Sequence, residues 1–181
     1  MPGEDRERAF AHIRQWGDPV LRETARPVEE FDRAFAHQVA ELAQLMNEAE
    51  GAGLAATQVG SLRRVFVYRL PDDEDDAPVR VVVNPELVSE SEERETLLEG
   101  CLSLGAATVI VEVERPSTIV IEATSPEGEE LRIEAEGLEA RVIQHELDHL
   151  DGVLIIDRTS PEQRREALAK LRPQPVLGPS G

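Results

Sequence analysis

The chain has 181 residues, enough for one domain with a sizeable interior, and carries 19 basic against 37 acidic residues, a formal charge of −18. That balance disfavours broad binding to nucleic-acid backbones or anionic membranes. A single cysteine excludes an intrachain disulfide, and no apolar run is long enough to span a bilayer.

The opening segment, Met1-Pro2-Gly3-Glu4-Asp5-Arg6-Glu7-Arg8, is charged and has no apolar stretch. It does not read as a secretory signal, so the expected compartment is the cytoplasm. Phe31, Phe35, Val39, Leu42, Leu45, Met46 and Ala49 recur at three- and four-residue intervals. They predict an amphipathic N-terminal helix with Asp32 as N-cap and Gly51 as stop. Residues 64–68 predict a strand, and the acidic segment 72–76 a solvated loop returning it to a second strand over 79–83. A second acidic cluster, 90–95, also reads as a solvated loop.

Three strand-like runs follow, over 109–114, 118–123 and 130–135. Arg115-Pro116-Ser117 and Ser125-Pro126-Glu127-Gly128 separate them with turn chemistry. Leu138, Val142, Ile143, Leu147 and Leu150 cover much of a helix circumference, which predicts a buried central helix over 138–150. Ser160 as N-cap and Pro161 at the first helical position start a last helix through Leu171. The expectation is α+β: antiparallel strands packed around a buried metal-binding helix, with an N-terminal helix and a C-terminal helix. One domain covers 1–172, and the Pro/Gly-rich tail 173–181 reads as disordered.

His145-Glu146-Leu147-Asp148-His149 carries the most chemistry. On a helix, residues four apart share a face, so both imidazoles can reach one metal ion while Glu146 contacts a water on it. The third ligand is open at this point. Cys101 is the better candidate because a thiolate binds borderline-soft divalent ions well. His12 and His37 lack motif context, and Asp148 reads as a group behind the ligands or a helix cap. Glu99 can pair with Arg115 to brace the Cys101 loop. A ligating histidine also needs a partner for its second ring nitrogen. Gln58 and the backbone N–H of Leu102 are candidate donors to an oxyanion, and Gly51 and Gly53 allow close backbone approach to a ligand.

Three segments, Gly51-Ala52-Gly53-Leu54-Ala55-Ala56-Thr57-Gln58, Glu99-Gly100-Cys101-Leu102-Ser103 and Gln144-His145-Glu146-Leu147-Asp148-His149, together resemble the motifs of peptide deformylase in their order and spacing. The resemblance implies removal of the N-formyl group from formylmethionyl nascent polypeptides. It implies Cys101, His145 and His149 as ligands of one divalent ion, usually Fe2+, with Zn2+, Ni2+ or Co2+ able to occupy the site. Glu146 would be general acid and base, with Gln58 and the Leu102 amide as oxyanion donors. Gly53 and Leu54 would hold the peptide backbone, and Leu138 and Val142 would border the pocket for the methionine side chain. The run Leu104-Gly105-Ala106-Ala107-Thr108 departs from the family pattern, because no arginine appears before Arg115. Two rival readings are an endopeptidase and a non-catalytic adaptor that binds metal and peptides. The segment from Arg158 to Arg172 has five basic against two acidic residues, so the C-terminal helix could dock on the ribosome near the exit tunnel.

Overall fold

The computed structural model describes residues 2–74, 77–105 and 107–172. The element order is α1 (Pro2–His12), α2 (Arg33–Glu48), β1 (Gly53–Ala55), β2 (Val65–Tyr68), β3 (Arg80–Glu90), β4 (Arg94–Gly100), β5 (Ile110–Pro116), β6 (Thr118–Thr124), β7 (Glu130–Glu136), α3 (Gly137–Leu150) and α4 (Pro161–Leu171). Short 3-10 turns lie at Pro19–Arg22, Ala56–Val59 and Ile155–Asp157. The architecture is α+β with antiparallel sheets, as expected, and the tail 173–181 lies outside the described residues.

The strands form a five-stranded sheet in the order β1-β2-β3-β6-β7 and a separate hairpin, β4-β5. All four residues of β2 are buried, which explains why it reads as an unbroken apolar run. Strand alternation divides them between two layers. Val65 and Val67 join Phe35, Val39, Leu42 and Met46 of α2, whereas Phe66 and Tyr68 join Ile143, Leu147 and Leu150 of α3. A third apolar cluster sits between the hairpin and the C-terminal region, with Cys101, Val111, Val113, Ile156 and Ala167.

Four expectations need correction. The cluster 90–95 is not a loop: β3 runs to Glu90 and β4 starts at Arg94, leaving only a tight turn. Arg115-Pro116-Ser117 is not a three-residue turn: β5 runs to Pro116 and β6 starts at Thr118, leaving Ser117 alone between them. An additional helix, α1, precedes the expected one and buries Ala9 against it. Asp32 does cap α2, accepting from Phe35 N at 2.8 Å, but Ala49 is its C-cap and Glu50 takes the left-handed turn, with φ 56°. Gly51 N then bonds to Met46 O at 2.9 Å.

The end of α3 is held from several directions. Val153 N donates to Asp148 O at 2.8 Å and Gly152 N to His149 O at 3.3 Å, the paired closure that needs a left-handed residue at Gly152. Ala25 N reaches Leu150 O at 2.7 Å and Thr57 Oγ1 reaches His149 O at 3.1 Å. Gly152 has φ 72°, and a Cβ there would lie 2.6 Å from Arg22 O. Gly17 has φ 102° with open space around it. Gly152→Ala is therefore expected to lose more stability in urea unfolding than Gly17→Ala, which should lose only about 1 kcal/mol or somewhat more. Equal losses would show that the Arg22 carbonyl moves aside freely.

Candidate metal centre

The buried helix α3 places His145 and His149 one turn apart, with ring centroids separated by 5.0 Å. Cys101 follows β4 directly, so the hairpin delivers the thiol to the face of α3 that carries the imidazoles. One ligand atom from each of Cys101, His145 and His149 lies within 4.8 Å of the others. The Cys101 Sγ to His149 Nε2 distance is 3.3 Å. A sulfur and two ring nitrogens from two elements therefore face one point, a donor set suited to a borderline-soft divalent ion with an open position.

One buried atom, a carboxylate oxygen of Glu146, supports the fit. Glu146 is 3% exposed, and its Oε2 has no hydrogen-bond partner among the described residues; His149 Nδ1 also has none. A buried carboxylate oxygen without a partner is costly unless something else occupies the site. Burial pushes the Glu146 carboxyl up to about 7. Burial and the adjacent His145 charge push His149 down, which favours the neutral imidazole that a metal requires. The Glu146 carboxylate also lies against Gly53, where a Cβ would sit 2.5 Å from Oε1, so a larger residue there would displace that carboxylate.

Behind His145 stands Glu99. Its Oε2 lies 3.0 Å from His145 Nδ1, the carboxylate partner that a ligating histidine needs. Arg115 donates to it through Nε at 2.7 Å and Nη2 at 2.9 Å, so the expected Glu99–Arg115 brace is present. Burial opposes the charge on Glu99, but the bonds from His145 and Arg115 hold it well below the usual carboxylate range. Asp148 neither ligates nor caps the helix: it accepts from Arg115 at 2.9 Å and from Arg158 at 2.6 Å. His12 and His37 are absent from the metal-ligating group.

A cavity of about 270 Å³ opens on this centre. Gly53, Gln58, Leu102, Leu138, Val142 and Glu146 line it, together with Cys101 and His145. Leu54 does not line it, because its side chain is fully buried in the α2 layer. Gln58 is fixed by its backbone neighbours. Its Oε1 accepts from Ala55 N at 2.9 Å, which turns Nε2 toward Ser103 Oγ at 3.1 Å and Cys101 Sγ at 3.9 Å. Leu102 is anchored through its carbonyl, which accepts from Gln15 Nε2 at 2.9 Å.

Sequence reasoning missed Arg141, which also lines the cavity and bonds to Glu99 at 2.7 Å. Glu50 and Leu98, at the cleft's rim, were missed as well. The one available signal for Arg141 was its spacing: it lies one helical turn before His145 on the same face.

Comparison with known proteins agrees with this geometry. The polypeptide deformylase family model matches residues 10–165. The chain is 44% identical over 152 residues to the peptide deformylase of Thermotoga neapolitana, covering 84% of this chain and 88% of that one. It is 44% identical over 164 residues to that of Acidothermus cellulolyticus, covering 91% and 87%. Its fold resembles the crystal structure of the Synechococcus elongatus peptide deformylase in complex with actinonin, with a TM-score of 0.83 at 36% identity over 90% of this chain and 91% of that one. The chain therefore belongs to the polypeptide deformylase family, metal-dependent hydrolases that remove the N-terminal formyl group of nascent peptides.

Proposed function

We propose that the cleft cleaves the N-formyl amide of formylmethionyl peptides with Cys101, His145 and His149 holding one divalent ion, in a single catalytic domain over residues 1–172. The observation that carries this reading is Glu146 Oε2, a buried carboxylate oxygen without a hydrogen-bond partner among the described residues, beside three convergent ligand atoms. Bound there, a divalent ion supplies Lewis acidity and brings the pKa of water toward about 7. Glu146, with its carboxyl near neutrality, takes the proton of the attacking water and returns it to the departing amine, and formate leaves.

Gln58 Nε2 and the Leu102 backbone N–H are the proposed donors to the developing oxyanion, each contributing about 10²–10³ in rate. The preset orientation of the Gln58 amide supports its part. Gly53 and Leu54 offer the edge of β1 that β2 leaves open to the backbone of an extended peptide. Leu54 would contribute through its main chain alone, since its side chain belongs to the core. Leu138, 45% exposed, and Val142, 8% exposed, wall the space for the methionine side chain.

Glu146→Gln is expected to lower formate release from a formyl-methionyl peptide by about 10²–10⁴-fold. Metal content should stay at the wild-type level, and unchanged turnover would remove Glu146 from the mechanism. Ferrous iron is the proposed native ion, with zinc, nickel and cobalt able to replace it, in keeping with a thiolate and two imidazoles as donors. Metal analysis of anaerobically purified protein should find one iron per chain; stoichiometric zinc alone would overturn the iron assignment.

A cytoplasmic location is proposed as well, consistent with one buried, unpaired thiol. Docking of α4 on the ribosome near the exit tunnel is a separate proposal. It draws on the exposed Arg165, Lys170 and Arg172, because Arg158 and Arg164 are already paired with Asp148 and Asp157. Deleting residues 162–181 should abolish ribosome co-sedimentation, and undiminished co-sedimentation would dismiss the idea.

A further inference from the structure

Arg141 belongs to two environments at once. It sits on α3 beside Val142 and one turn before His145, and it lines the cleft. Its guanidinium is buried at the back of the centre. Nη1 donates to Glu99 Oε1 at 2.7 Å and to Val113 O at 2.9 Å, and Nη2 donates to Glu95 O at 2.7 Å. With Arg141 included, all the acceptor positions of Glu99 are used. Oε1 takes Arg141 and Arg115 Nε; Oε2 takes Arg115 Nη2 and His145 Nδ1.

Charge neutrality alone does not call for this arrangement. Arg115 already meets Glu99 with a two-pronged pair, the strong form of a carboxylate contact. The second arginine adds a fixed direction instead. It ties the carboxylate that orients His145 to the helix face bordering the cleft and to the carbonyls of β4 and β5. A flexible stem whose far end is pinned by three bonds can move only by pulling on what it is bonded to.

We propose that Arg141 is a positioning residue that couples occupancy of the pocket for the substrate's first side chain to the orientation of His145, acting through Glu99. A methionine side chain seated beside Leu138 and Val142 packs against the Arg141 stem and holds its guanidinium on Glu99, which in turn holds the His145 ring. A shorter side chain leaves the stem free to shift. Part of the binding energy of the first side chain then appears in turnover rather than in affinity. This inference rests on the ligand and pocket assignments of the proposed function.

The test uses the zinc-loaded enzyme and two substitutions. Arg141→Met keeps an unbranched stem without the guanidinium, and Arg141→Lys keeps a cation able to reach Glu99. In wild type the His145 Nδ1–H proton should give a sharp NMR signal that moves when the product Met-Ala binds. In Arg141→Met that signal should broaden and stop responding, and Arg141→Lys should restore the response in large part. In kinetics, Arg141→Met should lower kcat for formyl-Met-Ala by about 10- to 100-fold. It should also erase most of the kcat advantage of formyl-Met-Ala over formyl-Ala-Ala, leaving their KM difference in place. A raised KM with kcat and the His145 signal unchanged would overturn the proposal, since Arg141 would then be only a wall of the pocket. A lowered melting temperature with both readouts unchanged would overturn it equally. Wild-type protein that releases no formate from formyl-Met-Ala would overturn the parent reading and this one with it, whereas an active wild type with an unresponsive His145 overturns this one alone.

Discussion

The buried carboxylate of Glu99 is the joint of this molecule. Among the described residues the hairpin β4-β5 shares no ladder with the five-stranded sheet, so ladder hydrogen bonds do not fix its place. Charge does much of that work: Glu99 on β4 meets Arg141 and His145 on α3, and Arg115 on β5 meets Asp148 on α3. Such a network is stable only when complete. Removing one partner from a buried pair strands a charge and costs about 3–5 kcal/mol. The hairpin that carries Cys101 and the helix that carries the histidines are thereby locked together by the same groups that orient the metal-facing ring.

This arrangement explains why the centre is rigid without being closed. Its ligands come from a helix whose last carbonyls are all satisfied and from the end of a strand whose partner is pinned by arginine. The opposite side is made of small residues: Gly51 and Gly53 leave room for the Leu102 side chain and the Glu146 carboxylate. The cleft is thus walled by rigid polar groups on one flank and by thin backbone on the other. A substrate main chain can approach closely there.

Much of this was legible in the amino-acid order, and the exceptions share a cause. The helices α2, α3 and α4 and the strands β2, β6 and β7 announce themselves through apolar period and end signals such as Asp32 and Ser160. The metal ligands were readable because their chemistry is uncommon and their spacing restrictive. The strand β4 was hidden because its pattern is inverted: Leu97 and Leu98 are exposed while Glu99 is buried. The helix α1 was hidden because a run of five charged residues, Glu4 to Arg8, occupies its middle, and among the described residues only Ala9 is fully in the core. Arg141 was hidden because an arginine on a helix reads as solvent-facing unless its partners are known, and those lie 28 to 46 positions away. Periodicity reports which face is apolar. It says nothing about which charges will be buried together, or which strand a given strand will pair with.

The placement of Cys101 has a practical corollary. It is the sole sulfhydryl of the chain, and it stands at the centre with 3% of its surface accessible. Alkylating or disulfide-forming reagents therefore have a single target, and whatever they report concerns the heart of the enzyme and nothing else. Burial and coordination both shield such a sulfur, so the fraction that reacts under native conditions, measured against the total in denaturant, reports the integrity of this centre. For the same reason, an oxidant that enters the cleft meets this sulfur with no peripheral cysteine to intercept it.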